Sequence, residues 1–252
     1  MMMEERITSR KNPLLQQVKK LLSSGKARKE AGLFVSDGTK LLEEAVRYYE
    51  DRLETVILSD GIQASVPEHV RLVRVPEDVM ESISPMQSPQ GALFLCRLPE
   101  KTGFQPQEGM LLLDGIQDPG NLGTMLRTAD ALGVPVALLE GCADPYSHKV
   151  VRSSMGAVFR TPVIQTTWAE VTACCKAAGI PVAVTALSDR ASDIRNAEVK
   201  KMAVVIGSEG QGVRKEILES ADAELIIPMT AHCESLNAAV AASIVMWQMT
   251  KL

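Results

Sequence analysis

Apolar positions in the first hundred residues switch repeatedly between helical and strand spacing. Leu14, Leu15, Val18, Leu21 and Leu22 recur on one helical face after Asn12, and the run ends near Gly25, which predicts an amphipathic first helix. Leu33 to Val35 predicts a short strand. Thr39 to Tyr49, with Leu41, Leu42, Ala45 and Val46 on one side, predicts a helix, and Thr55 to Leu58 a strand. A strand at Leu72 to Val75, a short helix from Glu77 to Ile83 and a strand at Ala92 to Leu95 complete a small α/β unit.

The segment from Leu98 to Gly109 holds Pro99, Gly103, Pro106 and Gly109 with little apolar content, as linkers do. Beyond it the pattern changes. Short, fully apolar runs at Met110–Leu113, Val134–Leu139, Pro162–Ile164, Val182–Val184, Ala203–Ile206 and Leu225–Ile227 alternate with helical stretches. Continuous apolar strands separated by helices predict a parallel sheet covered on both faces. The expected organisation is therefore a smaller domain over residues 1–98, a linker over 99–109 and a larger α/β domain over 110–252.

Charge refines this picture locally. The chain as a whole carries a net charge of −4, which does not favour wholesale nucleic-acid binding. Its first thirty residues, however, place Arg6, Arg10, Lys11, Lys19, Lys20, Lys26, Arg28 and Lys29 against Glu4, Glu5 and Glu30, a net +5. Such a cluster is either a solvated helix face or an electrostatic footprint for RNA. Cys96, Cys142, Cys174, Cys175 and Cys233 form no C-x-x-C pair and are odd in number, so neither a zinc site nor a disulfide framework is expected. The opening residues are polar and no apolar run approaches the length of a membrane span, so a cytoplasmic protein is expected.

Ligands of parallel sheets bind beyond the carboxyl ends of the strands, and three loops after predicted strands carry unusual chemistry. In Asp114-Gly-Ile-Gln-Asp-Pro-Gly-Asn-Leu-Gly-Thr-Met-Leu-Arg127, Asn121 can cap a helix running to Leu132. Capping does not explain Arg127, a cation among apolar neighbours. Gly207-Ser-Glu-Gly-Gln-Gly212 lets backbone amides approach a ligand closely, yet matches neither a dinucleotide-binding nor a P-loop pattern. The third loop runs from Ile226 through Ser235, Leu236 and Asn237 into an Ala-rich helix. There Ser235 can be the cap and Asn237 first-turn surface. His232 in this loop reads as polar surface before it reads as a substrate contact. Met246 and Met249 around Trp247 read as an apolar helix face, and secondarily as a dimer interface.

Taken together, Asn121-Leu-Gly-Thr-Met-Leu-Arg127-Thr-Ala, Gly207-Ser-Glu-Gly-Gln-Gly212 and Ile227-Pro-Met through Ser235-Leu-Asn237 resemble, in order and spacing, three motifs of the SpoU, or TrmH, family of RNA ribose methyltransferases within the SPOUT superfamily. Val151 to Val163 is similar to that family's intervening segment. Phe34-Val-Ser-Asp-Gly38 resembles an element of its smaller substrate-binding domain, with Asp37 where Glu is more usual.

The resemblance implies a C-terminal domain knotted as a trefoil, an exception to the rule that chains avoid threading. It implies S-adenosylmethionine as cofactor, held at Gly207, Ile227 and Leu236, and a polar catalytic set of Asn121, Arg127, Glu209, Ser235 and Asn237. It further implies a homodimer formed through the catalytic domain and a structured RNA as substrate, with ribosomal RNA favoured. Transfer RNA as substrate and a non-catalytic RNA-binding assembly factor are the alternatives. Methyl transfer of this kind needs no metal; it needs an aligned ribose hydroxyl that loses its proton at or near the transition state.

Overall fold

A computed structural model describes residues 4–230, 232–233 and 235–250. The chain begins with β1 (Glu4–Arg6), α1 (Pro13–Ser23), α2 (Gly25–Ala31), β2 (Leu33–Asp37), α3 (Thr39–Tyr48), β3 (Leu53–Ser59), β4 (Arg71–Val75), α4 (Glu77–Ile83) and β5 (Ala92–Arg97). It continues with β6 (Met110–Leu113), α5 (Pro119–Leu132), β7 (Val136–Leu138), α6 (His148–Ser153), α7 (Ala157–Arg160) and β8 (Ile164–Gln165). The remainder is α8 (Trp168–Ala178), β9 (Val182–Thr185), β10 (Ser192–Asp193), β11 (Ala203–Ile206), α9 (Lys215–Ser220), β12 (Ala223–Ile226) and α10 (Ala238–Met249). Among the described residues no helix is long and apolar enough to cross a membrane.

Backbone contacts group these elements into two compact units: Met1–Glu100 with Asp144–Pro162, and Lys101–Ala143 with Val163–Leu252. The first holds a mixed sheet of order β1-β4-β3-β5-β2, in which β5 runs antiparallel to β2 and β3. Alternate residues of β2 and β5 bury opposite faces. Leu33, Val35, Leu93 and Leu95 join Leu15, Val18 and Leu21 of α1 and Met80 of α4 in one core. Phe34 and Phe94 point the other way, where Phe159 lies 6.3 Å and 6.1 Å from them, ring centre to centre, and Tyr146 lies 5.1 Å from Phe34.

That second face explains a departure from the linear division at residue 110. Asp144–Pro162 groups with the N-terminal unit because its aromatic rings cover Phe34 and because Asp144, Arg152 and Arg160 pair with Arg28, Asp37 and Glu44. Two further elements carry no apolar signal: β1 is three exposed polar residues paired in parallel with β4, and α2 starts where Ser24 accepts a hydrogen bond from the Ala27 amide. Within the linker, Phe104 is buried in the core of the second unit and its amide donates to Glu170.

In the second unit all the paired strands are parallel, in the order β10-β12-β9-β11-β6-β7-β8. All six expected strands form, some of them shorter or displaced by a residue or two. The added β10 is a polar pair at the edge. Met110, Leu112, Val184, Ala203 and Val205 pack with Val171 and Cys175 of α8 and Ile217 of α9. The loops after β6 and β11 emerge from adjacent strands, and the loop after β12 leaves one strand further on, beyond β9.

Candidate active site

The three chemically unusual loops meet through hydrogen bonds. At the start of α5 the cap is Asp118, whose side chain accepts from the Asn121 amide at 2.7 Å, with Pro119 in the first turn. Asp118, not Asn121, therefore satisfies the open amide at the start of this helix. The Asn121 side chain is left free for another partner, and its Nδ2 donates to Glu209 Oε1 at 2.6 Å.

Capping is likewise reassigned at α10. Asn237 is the cap, its Oδ1 accepting from the amides of Ala239 and Val240 at 2.9 and 3.2 Å. Ser235 lies two residues upstream, exposed. Asn237 Nδ2 donates to Glu209 Oε1 at 2.6 Å and to Asn121 Oδ1 at 3.1 Å. The Ala238 amide donates to the same Glu209 oxygen at 3.3 Å, setting a carboxylate at the positive end of α10. Asn121, Glu209 and Asn237 thus close a three-residue ring of polar contacts.

Glu209 stands on a tight turn. Ser208 and Gly212 exchange backbone hydrogen bonds of 2.9 and 3.1 Å. A Cβ at Gly207 would fall 2.1 Å from the Gly212 carbonyl carbon, so only glycine allows the turn to close. Gly212 itself, at φ 68°, is left-handed.

Beside this turn opens a cavity of about 530 Å³, whose walls include Gly207, Ile227 and Leu236, and also Glu209 and Ser235. Apolar walls from Ile206, Leu225 and Met229 stand next to polar groups from Ser188, Ser208 and Glu224. Size and lining suit a nucleoside with a charged tail, the chemical form of S-adenosylmethionine. Thr185 at the end of β9, with Ala186 to Ser188 and Arg190 after it, forms a wall that sequence reasoning missed, although the rule that ligands sit beyond parallel strands applies to that loop too.

Arg127 is not part of this assembly. It is exposed on α5, does not line the cavity, and its side chain makes no hydrogen bond or ion pair among the described residues. Asn121 and Asn237 also border a shallow groove with Thr124, Val240, Ile244 and Trp247. On α10, Met246 and Met249 turn inward and are buried, while Trp247 is 62% exposed with Val240 and Ile244 beside it. The Met–Trp tail therefore forms two faces and not one. His232 is exposed in its loop.

In the first unit the basic cluster is partly neutralised. Arg6 pairs with Asp60, Arg10 with Asp78 and Lys26 with Glu30, and the buried Arg28 pairs with Asp144. Lys11, Lys19, Lys20 and Lys29 have no ion pair among the described residues. Asp37 is buried and accepts from Arg152 Nη1 at 2.9 Å, while its Oδ1, Ser36 Oγ and His148 Nδ1 are buried without hydrogen-bond partners. Burial pushes the Asp37 carboxyl above the usual carboxylate range, against the opposing pull of Arg152 and His148.

Comparison with known proteins fits this geometry. Residues 109–247 match the SpoU rRNA Methylase family and residues 12–93 the MRM3-like substrate binding domain. The chain is 33% identical over 247 residues to the 23S rRNA (guanosine(2553)-2′-O)-methyltransferase RlmP of Bacillus subtilis, covering 97% of this chain and 99% of that one. An AdoMet-bound rRNA methyltransferase from Sinorhizobium meliloti superposes with a TM-score of 0.85 at 28% identity, covering 98% of this chain and 97% of that one. The SpoU methyltransferase AviRb from Streptomyces viridochromogenes shares the fold, with a TM-score of 0.81 at 24% identity over 95% of this chain and 97% of that one. With three loop motifs joined by hydrogen bonds, two of them lining one cavity, and a family match that spans more than half of the sequence, the chain belongs to the SpoU rRNA methylase family.

Proposed function

We propose that this protein transfers the methyl group of S-adenosylmethionine to a ribose 2′-hydroxyl of ribosomal RNA, in the cytoplasm and as a homodimer. The observation that carries this reading is the ring of Asn121, Glu209 and Asn237, whose Glu209 also lines a nucleoside-sized cavity, in a chain of this family. Gly207, Ile227 and Leu236 hold the cofactor, which supplies an electrophilic methyl group. Ser235, on the cavity wall, and the Asn121–Glu209–Asn237 ring fix the loops around the acceptor ribose. The trefoil threading of the C-terminal segment, implied by the family resemblance, belongs to the same reading.

Residues 1–98, together with Asp144–Pro162, serve as the RNA-binding domain, 99–109 as linker and the rest of 110–252 as catalytic domain. The lysines without ion pairs supply phosphate contacts. The exposed Val240, Ile244 and Trp247 stripe on α10 supplies the dimer contact, since an apolar face of this kind is covered by association.

Arg127 acts by charge. A guanidinium keeps its proton at any ordinary pH, so its chemistry is stabilisation of a developing alkoxide or clamping of the neighbouring phosphate. Its exposed place on α5, outside the polar ring, suits a group that waits for substrate. The test is Arg127→Ala. S-adenosylmethionine affinity and melting temperature are expected to stay near wild type while single-turnover methylation of ribosomal RNA falls about a hundredfold or more. Near-normal methylation by a folded Arg127→Ala protein removes Arg127 from the mechanism. Absence of new 2′-O-methyl marks on ribosomal RNA with the wild-type protein removes the substrate assignment.

A further inference from the structure

The turn that carries Glu209 is anchored at its far end by a residue outside the three motifs. Arg214 follows the turn after one residue, Val213, and directly precedes α9. Its Nε donates to Asp114 Oδ1 at 2.6 Å and its backbone amide to Asp114 Oδ2 at 2.9 Å. Its Nη2 donates to Glu140 Oε2 at 2.9 Å, and its Nη1 stands 3.0 Å from Glu216. Asp114 is 1% exposed at the end of β6, tied to β11 by donating its own amide to the Ile206 carbonyl, and Glu140 follows β7. One guanidinium therefore gathers the chain leaving β11, β6 and β7 at the ligand end of the sheet.

Neutralising a buried aspartate requires a single cation contact. Here both Asp114 oxygens are used, one by the backbone and one by the side chain of the same residue, which fixes the direction in which the chain leaves the turn as well as its distance. The other end of the turn is fixed by the close approach of Gly207 to Gly212. With both ends held, the apex from Glu209 to Gln211 is set in place over the cavity. Arg214 is not among the residues lining that cavity, whereas its neighbours Gly212 and Val213 are.

We propose that Arg214, locked by Asp114 and steered by Glu140, is a positioning residue that sets the cofactor turn in its binding geometry. This rests on the assignment of the cavity to the cofactor. Without the latch the turn keeps its Ser208–Gly212 backbone pair, the Gln211 amide bond to Ser208 Oγ and the contacts of Glu209, but loses the anchor at its exit, so its backbone samples orientations that cup the ligand less well. A residue acting this way changes affinity without being touched by the ligand.

The experiment uses the full chain with S-adenosylhomocysteine as probe, measuring its Kd by calorimetry, the melting temperature without ligand, and amide hydrogen exchange. In wild type, the probe is expected to protect residues 207–213. Absence of that protection overturns the cavity assignment and the latch together. Arg214→Gln is expected to weaken the probe about tenfold or more, with faster exchange confined to the turn and KM for the cofactor rising more than kcat falls. Arg214→Lys, which keeps a charge for Asp114 but cannot fork to Glu140, is expected to recover part of the affinity. Wild-type affinity in folded Arg214→Gln, or faster exchange spread evenly through the sheet, overturns the proposal while leaving the cavity assignment intact. Should Arg214→Gln fail to fold, Glu140→Gln decides: it leaves the Asp114 pair in place and is expected to weaken the probe about threefold, and an unchanged Kd there overturns the latch.

Discussion

Asn237 joins two tasks in one side chain: its Oδ1 caps α10 through the Ala239 and Val240 amides while its Nδ2 holds Glu209 Oε1 at 2.6 Å. The start of the last helix and the placing of a carboxylate on the second loop are therefore a single interaction. Serine at this position keeps an oxygen for the cap, but its hydroxyl ends one atom short of the Nδ2 that reaches Glu209.

Asn237→Ser is accordingly expected to melt within a few degrees of wild type, whereas Asn237→Ala loses the cap and about 1 kcal/mol of stability. Both are expected to lose single-turnover activity about tenfold or more, because Glu209 is released in each. Thermal melts and rapid-quench kinetics on the same preparations separate the two tasks. Full activity in Asn237→Ser would show that the bond to Glu209 contributes nothing to the chemistry.

Trp247, with Ile244 and Val240 one and two turns before it, presents an apolar stripe beside the Asn121–Asn237 groove. Trp247→Lys is expected to shift the protein from dimer to monomer in light scattering at micromolar concentration, with its α-helical signal unchanged, since the substituted side chain is not in the core. A dimer of undiminished stability would place the interface elsewhere.

Lys11, Lys19, Lys20 and Lys29 are available to phosphates, but Arg28 is not, being buried against Asp144. Replacing the four lysines with glutamate is expected to flatten the slope of log RNA affinity against log salt by about 0.7 to 0.9 for each phosphate no longer neutralised, with cofactor binding unchanged. Arg28→Ala is expected to lower stability instead, because it strands Asp144 and opens the packing of α2. Filter binding across a salt series checks the first outcome and a thermal melt the second. An unaltered salt slope would return the lysines to the status of solvated surface.

Asp37 is the buried acid whose carboxyl is held above its usual range by desolvation, partly opposed by Arg152 and His148. A carboxyl whose pKa is raised by folding favours the native state below its unfolded value and loses that advantage as pH rises through the raised value. Asp37→Asn keeps an acceptor for Arg152 and never ionises. Its melting temperature relative to wild type is therefore expected to increase as pH is raised from about 4 to about 8. A relative melting temperature that falls over that range would mean that the Arg152 pairing outweighs the burial.

Hydrophobic spacing by itself determined the helices and strands with a clear apolar face, the parallel sheet of the second half, and the rule that its chemistry sits in loops after the strands. Motif resemblance then placed Gly207, Ile227 and Leu236 together, and all three line one cavity. These features are legible because burial of a face is written in neighbouring residues. What the tertiary structure decided is who meets whom. Asn121 and Glu209 are 88 positions apart and Asn121 and Asn237 are 116 apart, and the crossover order β12-β9-β11-β6 brings their loops together. It also decided that Asp118 and Asn237 are the caps, that Asp144–Pro162 packs with the first unit, that Arg28 is interior, and that Arg214 pairs with Asp114. A polar side chain carries no record of its partner in its own sequence neighbourhood; the partner is chosen by which strand ends the fold sets side by side.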